Sequence, residues 1–220
     1  MGATQSARCR AMKRCKSIVD IIGVTVLLEL YIWRWQASAP RAWIAIVALL
    51  AASFVTHRDT PKTLGWRVDN LGAATRRAGI VLGSYAVALI VIGLARGATT
   101  RIPQNHGSLA HLGRYFAFCI FQQVVLNSLM TNRLLELCSR PWPAAAIAGT
   151  IFAAAHWPNP VLVPLTFIAG TTMAWLFARE RNILPLAALQ VILSLLVWWA
   201  FPIAWHHGLR VGPGYYTFTR

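Results

Sequence analysis

Long apolar runs alternate with short basic or polar segments along this chain. The runs near residues 17–33, 42–56 and 183–204 approach the roughly 20 residues that a helix needs to cross a bilayer. Together with shorter runs they predict an all-α fold, a polytopic transmembrane helix bundle of about seven spans. The predicted spans are residues 17–35, 41–57, 77–95, 113–131, 143–156, 161–178 and 183–204.

Composition supports the prediction of an integral membrane protein. The chain is 57% hydrophobic and its mean hydropathy is +0.53. Charged residues make up 12% of the chain, which is about half of their usual share in soluble domains. The lipid bilayer is therefore the first partner that the sequence predicts.

The net charge of +15 would suggest nucleic-acid binding in a soluble protein. Here the basic residues flank the apolar spans, and no nucleic-acid-binding motif accompanies them, so no nucleic-acid partner is expected. An excess of Lys and Arg marks the cytoplasmic side of membrane proteins and favours contact with anionic lipid. The charges predict a cytoplasmic N-terminus and an external C-terminus in a plasma or inner membrane. The predicted cytoplasmic set is Arg8, Arg10, Lys13, Arg14, Lys16, Arg58, Lys62, Arg67, Arg76, Arg77, Arg133, Arg140, Arg179 and Arg181.

Three consecutive predicted spans carry polar side chains one helical turn apart. They are Gln122, Gln123 and Asn127 in the fourth span, His156 with Phe152 in the fifth, and Gln190 and Ser194 in the last. Positions i and i+4 share one face of a helix, so three polar faces can converge. Polar groups in a bilayer mark a functional site or form hydrogen bonds between helices, and both interpretations remain open.

These segments resemble the CPBP family, the membrane-embedded CAAX prenyl endopeptidases and bacteriocin-processing (Abi) proteins, over residues 60–200. The family motifs read Glu-Glu-x-x-x-Arg, Phe-x-x-x-His and His-x-x-x-Asn or Asp. The second motif is intact at Phe152 and His156, and its continuation His156-Trp-Pro-Asn-Pro160 is also similar to the family, as are Phe167-Ile-Ala-Gly170 and Asn182-Ile-Leu-Pro185. Gln122 and Gln123 replace the glutamates, Asn127 the arginine, and Gln190 and Ser194 the residues of the third motif.

The apolar runs, the distribution of charge and the resemblance together predict a domain organisation for the chain. A basic cytoplasmic tail (1–16) precedes two transmembrane helices (17–59), a CPBP-like transmembrane core (60–204) and a C-terminal tail (205–220). The resemblance also supports an interfacial amphipathic stretch, which residues 64–70 together with Arg76 and Arg77 predict before the core helices.

The resemblance implies a catalytic site made of His156, Gln122, Gln123, Asn127, Gln190 and Ser194. In the family, paired glutamates and a histidine are thought to activate the water that attacks a peptide bond. Glutamine cannot take up that proton, so among the matched positions only His156 can exchange one near neutral pH. No cofactor and no metal ion are expected from this set.

Two classes of function remain open. One is a CAAX-like intramembrane protease with a modified mechanism, or a divergent enzyme that acts on a hydrophobic or prenylated substrate. The other is a non-catalytic homologue that binds a hydrophobic ligand or a membrane-protein partner. Glu136 lies too far along its helix to replace the missing glutamates. Glu29, inside the first span, is either a member of the site, a carboxylate paired with Arg34 or Arg41, or a carboxyl group held protonated.

Overall fold

The structure, a computed structural model, describes residues 2–98 and 109–218, and every regular element in this part of the chain is a helix. The predicted all-α fold class is therefore confirmed. Within the described residues, the long helices are α1 (Gly2–Leu30), α2 (Trp43–Thr56), α3 (Leu71–Ala95), α4 (Leu109–Gln123), α5 (Pro141–Ala154), α6 (Leu162–Glu180) and α7 (Leu184–Ala200).

Wider or shorter helical segments extend several of these helices. α1 continues into a π-helix at Tyr31–Trp35. α4 continues through a second π-helix, Val124–Thr131, into the helical segment Asn132–Leu137. Further short helical segments are Gln36–Ser38, Pro40–Ala42, Pro61–Leu64, Ile203–His206, His207–Leu209 and Pro213–Tyr216.

Each of the seven predicted spans coincides with one of the long helices. By length and apolarity, α3 and α6 are the described helices that can cross a membrane alone, and α7 with its continuation to Leu209, bent by 119°, makes a third. α2 and α5 have 14 residues each and are about 21 Å long, which is shorter than a hydrocarbon core of about 30 Å. A membrane helix bundle fits these dimensions, while the number of crossings stays a prediction.

α3 presents a broad apolar face to the surroundings of the protein. Its exposed side chains on that face are Ile80, Val87, Val91 and Leu94, which are 53–70% exposed. They repeat at helical spacing, whereas Leu82 and Leu89 of the same helix are buried against the bundle. A continuous exposed apolar face of this kind is typical of a surface covered by lipid.

Residues 2–16 of the predicted N-terminal tail are continuous with the first helix. α1 has no break at residue 16, and Nζ of Lys13 lies 3.1 Å from Oε1 of Glu136 after α4. The side chains of residues 2–10, with the predicted cytoplasmic Arg8 and Arg10, lie outside the described part of the structure. The described portion of the tail is therefore docked on the core.

Arg133 forms the centre of a buried ionic cluster that joins α1, α2 and the end of α4. Its side chain is fully buried, and its Nη2 lies 2.5 Å from Oδ2 of Asp59. Nη2 also donates to Oγ of Ser53 at 3.0 Å, and Nε lies 3.4 Å from Oδ2 of Asp20. Burying a guanidinium is costly unless it is paired and hydrogen-bonded, and these partners supply both conditions. We call the end of the bundle that carries this cluster the Arg133 end.

His57 and Glu136 extend the cluster towards the N-terminal helix. Nε2 of His57 lies 3.1 Å from Oδ2 of Asp20, and its Nδ1 lies 3.5 Å from Oε2 of Glu136. Burial alone would raise the pKa of Glu136, but hydrogen bonds from Ser17 and Lys13 outweigh this effect and hold the pKa below its usual value. Glu136 therefore has a structural role in this cluster.

The predicted interfacial stretch, residues 64–70, is non-helical from Gly65 onward and is docked on the loop between α6 and α7. The preceding short helix ends at Gly65, which has a φ of +86° that favours glycine. The backbone N–H of Ile183 donates to the carbonyl of Gly65 at 3.0 Å. The side-chain amide of Asn182 donates to the carbonyl of Arg67 at 2.9 Å. These bonds give the family-like Asn182 segment a structural role that its sequence does not reveal.

α5 and α6 pack with almost no space between their backbones. A methyl group at Gly149 would lie 2.7 Å from the backbone nitrogen of Thr171, and one at Gly170 would lie 3.4 Å from Cα of Gly149. Small residues permit such close approach between membrane helices. The contact fixes the C-terminal end of α5, and with it Phe152 and His156, relative to α6.

Candidate ligand-binding cavity

A cavity of about 260 Å³ lies among α4, α5, α6 and α7, and it brings the three polar segments together. Gln122, His156, Gln190 and Ser194 line this space, which we call the His156 cavity. Gln123 and Asn127 do not line it, and both side chains are fully buried. Most of the remaining lining is apolar, including Phe118, Leu165, Ala169, Leu193 and Val197.

Side-chain amides form a continuous hydrogen-bonded chain beside the cavity. Nδ2 of Asn127 donates to Oε1 of Gln123 at 2.5 Å, and Nε2 of Gln123 donates to Oε1 of Gln190 at 2.6 Å. Nε2 of Gln190 then donates to Oε1 of Gln122 at 2.5 Å. The chain links α4 to α7 and ends at a glutamine of the cavity lining. Buried amides joined in this way are stable in an apolar interior because their donors and acceptors satisfy each other.

The hydrogen-bonded series of amides begins in the π-helix after α4. Asn127 lies in the wide turn that follows Gln123, and Thr131 lies four residues further along. The hydroxyl of Thr131 is 3.1 Å from Oδ1 of Asn127 and 2.8 Å from the carbonyl of Leu126. Thr131 continues the i, i+4 series of polar residues. This spacing was the signal in the sequence that could have identified it.

His156 follows α5, which ends at Ala154, two residues before the predicted end of the fifth span. Its Nδ1 lies 2.7 Å from the backbone carbonyl of Phe152, and the two rings meet edge to face at 4.7 Å. A carbonyl oxygen can only accept, so Nδ1 carries the proton and Nε2 of the neutral ring has the free lone pair. Within the described residues, Nε2 has no hydrogen-bond partner.

Two further lining residues could not be predicted from the sequence, because their residue types are common in apolar cores. Tyr115 lines the cavity and is hydrogen-bonded to Ser194. Met173 also lines it, and its sulfur accepts a hydrogen bond from Nε2 of Gln123 at 3.1 Å. Nothing in an apolar-rich sequence distinguishes such residues from ordinary packing residues.

Asn159 holds the C-terminal segment over the cavity. Its Nδ2 donates to the carbonyls of His206 at 2.8 Å and Arg210 at 2.9 Å. Its Oδ1 accepts from the backbone N–H of Leu162 at 3.1 Å, which caps the start of α6. Leu209, in the segment held in this way, lines the cavity. The predicted C-terminal tail, residues 205–220, therefore contributes to the site.

The other carboxylates do not replace the missing glutamates. The described lining of the His156 cavity contains no Asp or Glu, and Glu136 lies in the ionic cluster around Arg133. Glu29 lines a separate cavity of about 30 Å³ on the other side of Phe152. It is hydrogen-bonded to Trp33 and forms no ion pair with the two arginines expected as partners. Among the described residues, no group of three or more His, Cys, Asp or Glu side chains could hold a metal ion.

The amide side chains of this site cannot act as a general base. A general base must take up a proton near neutral pH, and an amide cannot do so. The cavity does provide a large apolar surface with a few polar groups, which is the usual construction of a site for a hydrophobic ligand.

The match to known proteins covers most of the part of the chain that builds this cavity. Residues 104–196 match the family model described as type II CAAX prenyl endopeptidase Rce1-like, and this region contains all three polar segments. No curated protein and no solved structure gives a significant match. The resemblance predicted from the motifs is therefore confirmed over residues 104–196, which are similar to the type II CAAX prenyl endopeptidase Rce1-like family.

Proposed function

We propose that this membrane protein is a divergent, non-proteolytic member of its family that binds a hydrophobic or lipidated molecule in the His156 cavity. The observation that carries the proposal is the amide chain from Asn127 to Gln122. Two of its members, Gln122 and Gln123, occupy the positions where the resembled enzymes have glutamates, and all four amides hydrogen-bond in sequence. The site therefore keeps its hydrogen bonds without a carboxylate base.

The apolar lining supports a prenyl or acyl chain as the bound group. Phe118, Leu165, Leu193 and Val197 surround the space, and each buried methylene of a ligand contributes about 0.8 kcal/mol. Gln122 and His156 lie in the same lining and can orient a polar head of the ligand by hydrogen bonds.

Filling the cavity tests this proposal. Ala169 lines the cavity, so Ala169→Phe should weaken binding of a dansyl-labelled, farnesylated cysteine methyl ester by about tenfold or more, because the new ring occupies the space of the chain. Ala154→Phe is the matched control, since Ala154 is exposed at the end of α5 and does not line the cavity. Titration of the purified protein, followed by dansyl fluorescence, measures both affinities. Equal affinities for the two variants, or no saturable binding by the wild type, would contradict the proposal.

A second candidate function is proteolysis by a modified mechanism. The observation that favours it is the free Nε2 of His156, which is the one titratable nitrogen of the six predicted site residues. A histidine alone can act as a base, although without the glutamates it lacks a partner that stabilises its protonated form.

For the orientation, we propose a cytoplasmic N-terminus in a plasma or inner membrane, as the distribution of basic residues favours. Cys15 is exposed, so it reports the side of the membrane. In sealed right-side-out vesicles it should resist an impermeant maleimide and react after permeabilisation. Labelling of Cys15 from outside would reverse the orientation.

A further inference from the structure

Acidic residues are concentrated at one end of the molecule. The chain has six of them, and five form ion pairs with basic residues at the Arg133 end: Asp20, Asp59, Asp69, Glu136 and Glu180. The sixth, Glu29, is hydrogen-bonded to Trp33. Among the described residues, the opposite end, which carries His156, therefore has no further carboxylate side chain to neutralise its arginines.

Two of these arginines line a second cavity. This space of about 560 Å³ is lined by Arg34, from the π-helix after α1, and by Arg210, from the C-terminal segment. Both residues are exposed, and neither forms an ion pair in the described part of the chain. The guanidinium of Arg210 lies 5.3 Å from the ring of Phe218. We call this space the Arg34 cavity.

The Arg34 cavity adjoins the His156 cavity. Phe118, Leu209 and Val211 line both spaces, so one ligand can contact both. One space is apolar with a few neutral polar groups, and the other carries two positive charges without a described carboxylate. This distribution matches an amphiphile with an apolar chain and an anionic head.

We propose that the Arg34 cavity binds the phosphate head of an amphiphile whose apolar chain occupies the His156 cavity. This inference rests on the proposed function and adds the class of the head group. A phosphate monoester carries a charge of about −1.5 to −2 at neutral pH, which complements two guanidinium groups. Arginine is well suited to phosphate because its planar group donates two parallel hydrogen bonds.

Comparing three ligands tests the inference. Dodecyl phosphate, dodecanol and inorganic phosphate are each titrated against the purified protein in neutral detergent, and the rise in the thermal unfolding midpoint is recorded. The wild type should reach half-maximal stabilisation with dodecyl phosphate at a concentration about tenfold lower than with dodecanol, because charge-assisted hydrogen bonds add to apolar burial. Inorganic phosphate at the same concentrations should neither stabilise the protein nor remove this preference.

Two variants locate the effect. Arg34→Gln with Arg210→Gln should abolish the preference for dodecyl phosphate while the response to dodecanol stays unchanged. Arg41→Gln is the matched control, because Arg41 is also exposed at this end but does not line the cavity, and it should keep the preference.

Each outcome decides one of the two claims. Equal responses to dodecyl phosphate and dodecanol in the wild type, or a preference that survives the double substitution, would overturn the inference. Competition by inorganic phosphate would overturn it as well, since the site would then take a free anion. Stabilisation by dodecyl phosphate without any by dodecanol would instead count against the apolar-ligand function and leave the arginine site in place.

Discussion

A single buried guanidinium connects the N-terminal helices to the family-like core. Arg133 is fully buried and contacts Asp20 of α1, Ser53 of α2 and Asp59 of the turn after α2. A buried cation with several partners is part of a network, in which loss of one member leaves the others uncompensated.

Removing this cation should destabilise the fold. Arg133→Met keeps much of the side-chain volume but leaves two nearly buried carboxylates without their cation, so we expect a loss of about 3–5 kcal/mol in unfolding free energy. Arg140→Met is the control, because Arg140 is exposed and forms no ion pair among the described residues, and it should change stability by less than about 0.5 kcal/mol. Equilibrium unfolding in mixed detergent and SDS micelles measures both. Similar stabilities for the two variants would show that the cluster contributes little.

The polar residues of the site were predictable from the sequence, but which of them line the cavity was not. Gln122 and Gln123 are adjacent, and only their neighbours in space make the first a lining residue and the second a buried link to Gln190. Adjacent residues of a helix point about 100° apart, so Gln122 and Gln123 face different surroundings and have different roles. Which residue faces the cavity depends on the packing of α4 against α6 and α7, which no local pattern specifies.

At the scale of elements, the close contact between α5 and α6 positions the histidine. His156 lies two residues beyond the end of α5, so any shift of this helix along α6 displaces it. Gly149 and Gly170 permit the short distance between the two backbones.

Adding a methyl group at this contact should therefore separate the helices. In Gly149→Ala the new Cβ would lie 2.7 Å from a backbone nitrogen of Thr171, so we expect a loss of about 1–3 kcal/mol in stability together with weaker ligand binding. Gly79→Ala in α3 is the matched control, since no atom lies within 4 Å of its new Cβ. Alanine should stabilise that half-buried helical position by up to about 1 kcal/mol. Unfolding and ligand titration of both variants check this, and a Gly149→Ala protein as stable as Gly79→Ala would contradict it.

Element boundaries were predictable where apolar runs end in polar residues, and less so elsewhere. The seven predicted spans coincide with helices because an apolar run of helical length has few other stable structures. The stretch at residues 64–70 was predicted as an interfacial amphipathic piece. In the structure residues 65–70 are non-helical, and hydrogen bonds with Asn182 and Ile183 hold the backbone of this segment in place. Hydrogen bonds between segments more than 100 residues apart cannot be predicted from the local periodicity of the sequence.

For the whole molecule, the separation of charge between the two ends was predictable from the sequence. The position of two arginines beside one cavity was not. The basic residues of the predicted cytoplasmic set meet five of the six carboxylates at the Arg133 end. The other end keeps arginines without such partners. That two of them line one cavity depends on the path of the C-terminal segment, which Asn159 holds in place.

The central claim is that the cavity binds lipidated molecules but no longer supports glutamate-dependent proteolysis. The most direct measurement is an assay of binding and cleavage of one prenylated CAAX-type peptide in detergent. The wild type, the double variant Gln122→Glu with Gln123→Glu, and His156→Ala are compared, with products quantified by mass spectrometry. We expect the wild type to bind the peptide saturably and to release no more product than His156→Ala, because a missing general base costs about 10²–10⁴ in rate. Robust cleavage by the wild type that is lost in His156→Ala would contradict the account.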